Sequence, residues 1–356
     1  MPKRLHLLPN ADVHTRHMTI RTPAAITPIA FVSAIMEGYN RRGQDPAAAL
    51  AVAKISPRQI LQPDSRITAA QLEMLSDHAM RELDDEALGW FGRRLPWGSY
   101  GMLARASLSA PTLGVAMKRW CRHHGLLTDD VTLRLQTTDD VAELTLEERR
   151  DFGILREFCQ VSLMRNFIGV ASWLIDSRIP LQAAAFTWSS PAHADVYGTL
   201  FPAPASFGAP VTRLKLDGRY FGLPLRRDDK ALSQMLHRPL PLMVQHYRRD
   251  RLLVDRARRL LITPENLACN AEALADKLHV SVRTLHRQLQ EQGNSLQNLK
   301  NEARREHATE LLMRTRQPIK QVALAAGFSN EKSFIRAFKD WTGLTPAAYR
   351  RMRSTS

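Results

Sequence analysis

The sequence predicts an α+β N-terminal domain followed by an all-α C-terminal domain with two helix-turn-helix units joined by a linker helix. Three observations carry this. Over about the first 227 residues, stretches of helical period alternate with short strands of alternating polarity, a mixture that builds α+β domains. In the last third the strand pattern disappears, and a helix, a tight turn and a second helix occur twice in succession. The charge is also uneven: the 356 residues hold 50 Lys and Arg against 35 Asp and Glu, a formal +15. Residues 251–356 hold 19 against 10, a surplus of +9, while residues 1–250 hold 31 against 25. A basic surplus gathered at one end points to a module that binds a polyanion, with a nearly balanced domain in front of it.

The elements follow in chain order. Residues 1–22 are polar and aperiodic and read as a flexible tail. Residues 23–227 form the first domain. Its first helix starts near Pro28, stacks Ile29, Val32, Ile35 and Met36 on one face, and stops at Arg41-Arg42-Gly43. Helices follow at about 46–54, at 68–83 with Leu72, Leu75, Ala79 and Leu83 at helical spacing, and at 111–124, where Pro111 suits a first helical turn. Val131–Leu135 and Ala142–Leu146 alternate on either side of Thr138-Asp139-Asp140 and read as a hairpin with one buried face. A long helix over about 153–176 comes next. After it stand an apolar strand near Leu181–Trp188, a short helix near 192–200, a Pro- and Gly-rich stretch from Phe201 to Pro210, and a strand Val211–Leu216. Residues 228–250 read as a helical linker into a second domain at 251–353.

The first domain shows little chemistry. It contains no glycine-rich phosphate loop, no H-E-x-x-H, no G-x-S-x-G and no paired-cysteine motif. Cys121, Cys159 and Cys269 are odd in number and far apart, so they read as reduced thiols, offer no structural zinc site and imply no metal or cofactor. His123-His124 places neighbours on different helix faces and reads as a solvated helix end, and His193-x-Asp195 is an equally weak metal pair. Trp90, Phe91, Trp97 and Tyr100 among Gly89, Gly92, Gly98 and Gly101 could line a small-molecule cavity, although core packing around a tight loop accounts for any single one of them. No run of 18 apolar residues occurs, and the N-terminus has no apolar stretch of the kind a secretory signal needs, so a cytoplasmic protein with no membrane span is expected.

The C-terminal module is richer. In Asn270–Leu289, Asn270 can cap a support helix and Ser281 a second helix. Leu274, Leu278, Val280, Leu285 and Leu289 form the inner face, and Arg283, Thr284, His286, Arg287 and Gln290 are left for the outer one. This first unit spans about 270–290. The pattern recurs over about 319–341: Pro318 enters a helix, Gly327 makes the turn, and Phe334, Phe338 and Trp341 face inward. Asn330, Glu331, Lys332, Ser333, Arg336 and Lys339 then face out, at positions from which side chains reach base edges or phosphates. Between the units, Leu296–Met313 reads as one helix of about 27 Å. Such a rod can hold two recognition helices near the roughly 34 Å spacing of successive major grooves. Double-stranded DNA is therefore the expected partner. An enzyme such as an alkyl-transfer repair protein fused to a DNA-binding module, with Cys121 beside Arg122, His123 and His124, and a nonspecific architectural DNA protein are the alternatives.

Ile319-Lys-Gln-Val-Ala-Leu-Ala-Ala-Gly-Phe-Ser, followed by Ser333-Phe334-x-Arg336-x-Phe338-Lys339-x-Trp341-x-Gly343-x-Thr345-Pro346-x-x-Tyr349-Arg350, closely resembles the signature of the AraC/XylS family over about 251–353. The resemblance implies a bacterial transcription regulator, usually an activator, that works with RNA polymerase at promoter DNA and is not an enzyme. It places base-contacting positions at Arg283, His286 and Arg287 and at Glu331, Lys332 and Arg336, where Glu331 is an acidic departure that could accept from a cytosine amino group or weaken the contact. Gly98–Met117, Phe207-Gly-Ala-Pro-Val211, Leu214–Leu216 and Leu223-Pro-Leu225 resemble the arabinose-binding-type sensor domain of one branch of the family. That likeness implies a small-molecule effector of unknown identity and homodimerisation as an option.

Overall fold

The computed structural model describes residues 25–244, 250–267 and 269–354. The expected tail at 1–22 and part of the 228–250 segment lie outside these residues. Two strands open the described chain: β1 (Ala25–Pro28) pairs antiparallel with β2 (Arg66–Thr68), and α1 (Ile29–Arg41), α2 (Ala47–Val52) and α3 (Pro57–Ile60) lie between them. Helix α1 buries Ile29, Val32 and Ile35, the stripe its period requires. A Cβ at Gly38 would stand 2.1 Å from the Leu88 carbonyl oxygen, and Gly89 holds φ +78, so only this glycine pair lets α1 touch the loop after α4 (Ala69–Glu82). Helix α4 begins with a capping box in which Thr68 and Gln71 satisfy each other's amides.

Helix α5 (Ser99–Leu108) has no counterpart in the sequence reading, because glycines at 98 and 101 obscure its period. Gly98 holds φ +100 at the helix entry, and Gly101 lies against the Leu236 side chain. In α6 (Leu113–Leu127), Pro111 stands before the helix rather than in its first turn, since Thr112 is the cap. A hairpin of β3 (Val131–Thr137) and β4 (Val141–Glu148) pairs Leu133 with Leu146 and Leu135 with Leu144. Its burial alternates, so one face is core and the other meets water. Helix α7 (Arg156–Leu174) buries 15 of its 19 residues, as a helix apolar nearly all round must.

β5 (Leu181–Ala185), α8 (Tyr197–Leu200), β6 (Ala205–Ser206) and β7 (Thr212–Asp217) complete a five-stranded sheet of order β3-β4-β7-β5-β6. The β5–β6 pair is parallel. A two-residue strand in a Pro- and Gly-rich stretch carries no alternation, and the sequence reading misses it. Helices α9 (Asp229–Leu236) and α10 (Pro241–Val244) fold back onto this core through Leu232 and Leu240.

The remainder is helical: α11 (Leu253–Ile262), α12 (Ala271–Lys277), α13 (Val282–Glu291), α14 (Leu296–Arg314), α15 (Ile319–Ala325), α16 (Glu331–Thr342) and α17 (Pro346–Ser354). Two apolar clusters hold them. Leu253, Leu261, Leu274, Leu278, Leu285, Leu289, Leu299 and Ala303 belong to one; Ala308, Leu312, Val322, Ala323, Phe334 and Phe338 belong to the other. Helix α14 serves both, which is how one continuous rod carries two units.

Candidate nucleic-acid interface

Helices α12 and α13 start where the sequence places their caps. Asn270 Oδ1 accepts the Ala273 amide at 2.8 Å, and Ser281 Oγ accepts the Thr284 amide at 3.1 Å. Leu285 and Leu289 are buried, which turns Arg283, His286, Arg287 and Gln290 outward, all four exposed. Thr284 is half-buried, and its hydroxyl meets Ser281 Oγ at 2.8 Å. Arg287 lies 3.5 Å from Glu291 one turn on, an exposed pair whose interaction is too weak to withhold the guanidinium from another anion.

The second unit repeats the design with aromatic packing. Phe334 and Phe338 are fully buried, their rings 5.6 Å apart, with Phe328 and Tyr349 against them. Gly327 turns the chain at φ +76. Lys332, Ser333, Arg336 and Lys339 are exposed on one stripe. Asn330 Oδ1 accepts the Ser333 amide at 2.8 Å, so that oxygen already serves the helix start. Glu331 occupies the first turn, where the partial positive charge of the helix end favours a carboxylate, which gives the acidic departure a local physical reason. The two units touch where Leu267 packs on the Gly327 turn and where Arg304 donates to the Leu267 carbonyl at 3.3 Å while lying over the Phe328 ring.

The junction with the N-terminal domain is polar and specific. Asp250, 2% exposed, accepts from Tyr220 Oη and from Arg256 Nη1, the latter at 2.7 Å, while Arg178 donates to the His279 carbonyl at 2.8 Å. Burial pushes the Tyr220 hydroxyl far above its usual range, so it stays a donor to the Asp250 carboxylate. Above this junction lies a cavity of about 930 Å³. Arg283, Thr284 and Arg287 of α13 form one wall and Phe31, Trp90 and Phe158 of the N-terminal domain another. The outer face of the first recognition helix thus faces both solvent and the domain before it. Sequence reasoning had no signal for this, since the walls lie more than a hundred residues apart.

A second cavity of about 430 Å³ lies inside the N-terminal domain, lined by Trp90, Trp97, Tyr100 and Trp120 among others. Three of the four aromatics singled out in the sequence line it, whereas Phe91 is core, edge-on to Trp90, His124 and Phe152. His124 corrects the sequence reading of a solvated helix end. It is 1% exposed, its Nε2 lies 3.2 Å from Tyr100 Oη, its Nδ1 has no partner among the described residues, and burial lowers its pKa to about 4. His193 and Asp195 go to separate partners, Glu157 at 2.7 Å and Arg66 at 2.8 Å. Burial pushes the Cys121 thiol up to about 12, the reverse of an activated thiolate. No described helix is long and apolar enough to cross a membrane.

Comparison with known proteins agrees with this architecture. The family model for the arabinose-binding N-terminal domain of the AraC transcription regulator matches residues 43–225, and a helix-turn-helix domain model matches residues 274–352. The chain is 28% identical over 328 residues to the ornithine utilization regulator of Pseudomonas aeruginosa, covering 92% of this chain and 97% of that protein. It is 26% identical over 355 residues to an uncharacterized HTH-type transcriptional regulator of Mycobacterium tuberculosis, covering 97% of this chain and 99% of the other. Among solved structures, the C-terminal domain of AraT, a response regulator from Geobacillus stearothermophilus, matches 29% of this chain and 89% of its own at 36% identity and a TM-score of 0.27. With a sensor-type domain model across half its length, tandem helix-turn-helix units after it and regulators as full-length relatives, the chain belongs to the AraC family of DNA-binding transcription regulators.

Proposed function

We propose that the protein acts at promoter DNA in the cytoplasm, reading a bipartite site with α13 and α16 and changing its occupancy in response to a small metabolite. The observation that carries this reading is the pair of capped helices whose apolar faces sit in separate clusters and whose basic faces are exposed: Arg283, His286, Arg287 and Gln290 on one, and Lys332, Ser333, Arg336 and Lys339 on the other. Thr284, Asn330 and Glu331 flank those faces and support the helix starts. At about 1.5 Å per residue, the 19 residues of α14 give a spacer of about 28 Å, compatible with two successive major grooves. The aromatic cavity of the N-terminal domain supports the metabolite-sensing half. Activation through RNA polymerase and pairing of two copies complete the proposal. The chain carries out no reaction in this reading, and the buried, poorly ionising Cys121 argues against alkyl transfer.

The experiment is recovery of genomic fragments on the purified full-length protein at fixed salt, with each recovered fragment compared against random duplex. A shared two-part motif and a steep fall of affinity with salt are expected, about −0.9 in log-log slope per phosphate neutralised. Equal affinity for recovered and random duplex would leave an architectural protein instead. Repeating the selection with metabolites, ornithine first because a full-length relative carries that name, tests the sensing half.

A further inference from the structure

The cavity of about 430 Å³ inside the N-terminal domain is short of positive charge. Trp90, Trp97, Tyr100 and Trp120 give it aromatic walls, and the Tyr100 and Trp120 rings stack with centroids 6.0 Å apart. Glu86 is the one carboxylate among its described lining residues. Glu86 Oε1 accepts the Gly98 amide at 2.7 Å and Oε2 the Tyr100 amide at 2.8 Å, which fixes the carboxylate at the entry of α5, yet no Lys, Arg or His pairs with it among the described residues. Burial holds its pKa above the ordinary carboxylate value, and the two amides oppose that shift without cancelling it. Asp84 adds a second negative charge nearby, its Oδ1 accepting the Trp97 amide at 3.0 Å. The cations at hand are engaged elsewhere. Arg105, the one cationic residue in the described lining, has a side chain 54% exposed and pairs with Asp229 at 3.0 Å. Arg81 lies 4.0 Å over the Trp97 ring but pairs with Asp77 and is not part of the lining. Much of the remaining wall is apolar, with Leu163 and Val170 from α7 and Met235 and Leu236 from α9. A fixed, half-buried carboxylate without a counter-ion, beside ring faces whose quadrupoles are negative, is a setting that favours a cation.

We propose that this cavity binds an organic ammonium ion with an apolar body, the cationic head at Glu86 among the Trp and Tyr rings and the body along α7 and α9. The preference for a cation follows from the carboxylate. An ammonium head gives Glu86 the counter-ion it lacks, a hydroxyl of the same size leaves its charge uncompensated, and an anion adds a like charge beside it. The volume lies within the range of small-molecule pockets and exceeds what an ammonium head alone fills, so the apolar wall selects the body. The proposal rests on the reading of this domain as a metabolite sensor for its regulatory meaning, and it names the class of metabolite; binding itself does not depend on DNA.

The test uses the full-length protein and three probes of one skeleton at pH 7: 4-phenylbutylamine, 4-phenylbutan-1-ol and 4-phenylbutanoate. Binding is followed by calorimetry in the absence of DNA. The amine is expected to bind at least tenfold tighter than the alcohol, and the acid more weakly than either. The ratio of amine to alcohol affinity, taken within each variant, should fall toward one in Glu86→Gln, which keeps the side-chain shape, and several-fold in Trp97→Leu, which removes one ring face. Glu86 and Trp97 line this cavity and not the interdomain one, so the two ratios also identify which cavity is filled. A variant that is merely misfolded loses amine and alcohol alike; if Glu86→Gln does so, the ratio in Trp97→Leu decides. Equal binding of amine and alcohol, tighter binding of the acid, no binding of the amine, or a ratio unchanged in both variants overturns the site. If another class of metabolite changes the occupancy of recovered DNA while the amine does not bind, the ammonium proposal fails and the sensing reading stands. If the amine binds as expected and DNA occupancy is unchanged, the site stands and its regulatory meaning fails.

Discussion

Replacing Phe338 by Ala should unfold the second helix-turn-helix unit and leave the first one standing. The Phe338 ring is fully buried, packed on Phe334 at 5.6 Å and edge-on to Tyr349 at 5.4 Å, in a cluster of which Ala308, Leu312, Val322, Ala323, Ala326 and Phe334 are the other buried members. Truncating a core Phe costs about 3–5 kcal/mol, because the transfer free energy of the ring is lost and a cavity remains. A body of about 45 residues, at about 0.05–0.15 kcal/mol per residue, holds only about 2–7 kcal/mol in total. The loss therefore consumes most of what the unit has. The first cluster shares no residue with the second; the two are joined by the continuous α14 and touch where Leu267 packs on the Gly327 turn and where Arg304 donates to the Leu267 carbonyl. Hydrogen exchange read by peptide should show 319–342 exchanging like unfolded chain in the variant while 271–291 keeps its protection. Loss of protection in both units together would show one cooperative body and refute the separation; retained protection in both would refute the ledger.

Three further outcomes follow from single contacts. Gly38→Ala places a methyl 2.1 Å from a backbone oxygen that cannot step aside, so the N-terminal domain should lose about 3 kcal/mol and its Tm about 6–12 °C; a shift within error in thermal unfolding would contradict the close approach. Asn330→Ala should cost the C-terminal domain about 1 kcal/mol and Asn330→Asp almost nothing, because only the cap oxygen matters at 2.8 Å from the Ser333 amide; equal denaturation midpoints for the two would remove the capping role. His124 is lowered to about 4 in the fold against an ordinary 6.5, so its contribution is complete above pH 6.5 and is lost as pH falls toward 4, by about 3 kcal/mol; urea melts of wild type and His124→Gln at pH 7 and pH 4.5 should show the variant with the shallower decline, and parallel declines would exclude His124 as the source.

Much of the architecture was legible in the chain, and the reasons are local. The caps at Asn270 and Ser281, the turn at Gly327 and the inner stripes of α13 and α16 are read within twenty residues, and they stand in the structure where the sequence put them. The hairpin at 131–148 was likewise written in its alternation. What the chain hid depends on distant partners. Helix α5 was masked because Gly98 and Gly101 look like breakers, and their use is visible only once Leu236 packs on Gly101. His124 looked solvated because nothing near it in sequence foretells Phe91 and Tyr100 closing over the ring. The wall that Arg178 and Trp90 build opposite Arg283 exists only in three dimensions. For the candidate interface, the outward positions were readable, but the local duties of Asn330 and Glu331 at a helix start were not distinguished from contacts to DNA.

The most direct test of the two-helix reading is an affinity matrix. Wild type, Arg287→Ala and Arg336→Ala are each titrated at one salt concentration against a recovered site and against the same site with either half scrambled. The expected result is that each substitution costs about 1–3 kcal/mol on the intact site and nothing further on the duplex whose matching half is scrambled, with the two variants sensitive to opposite halves. Two variants that lose affinity equally on every duplex, or that bind all of them as wild type does, would contradict it.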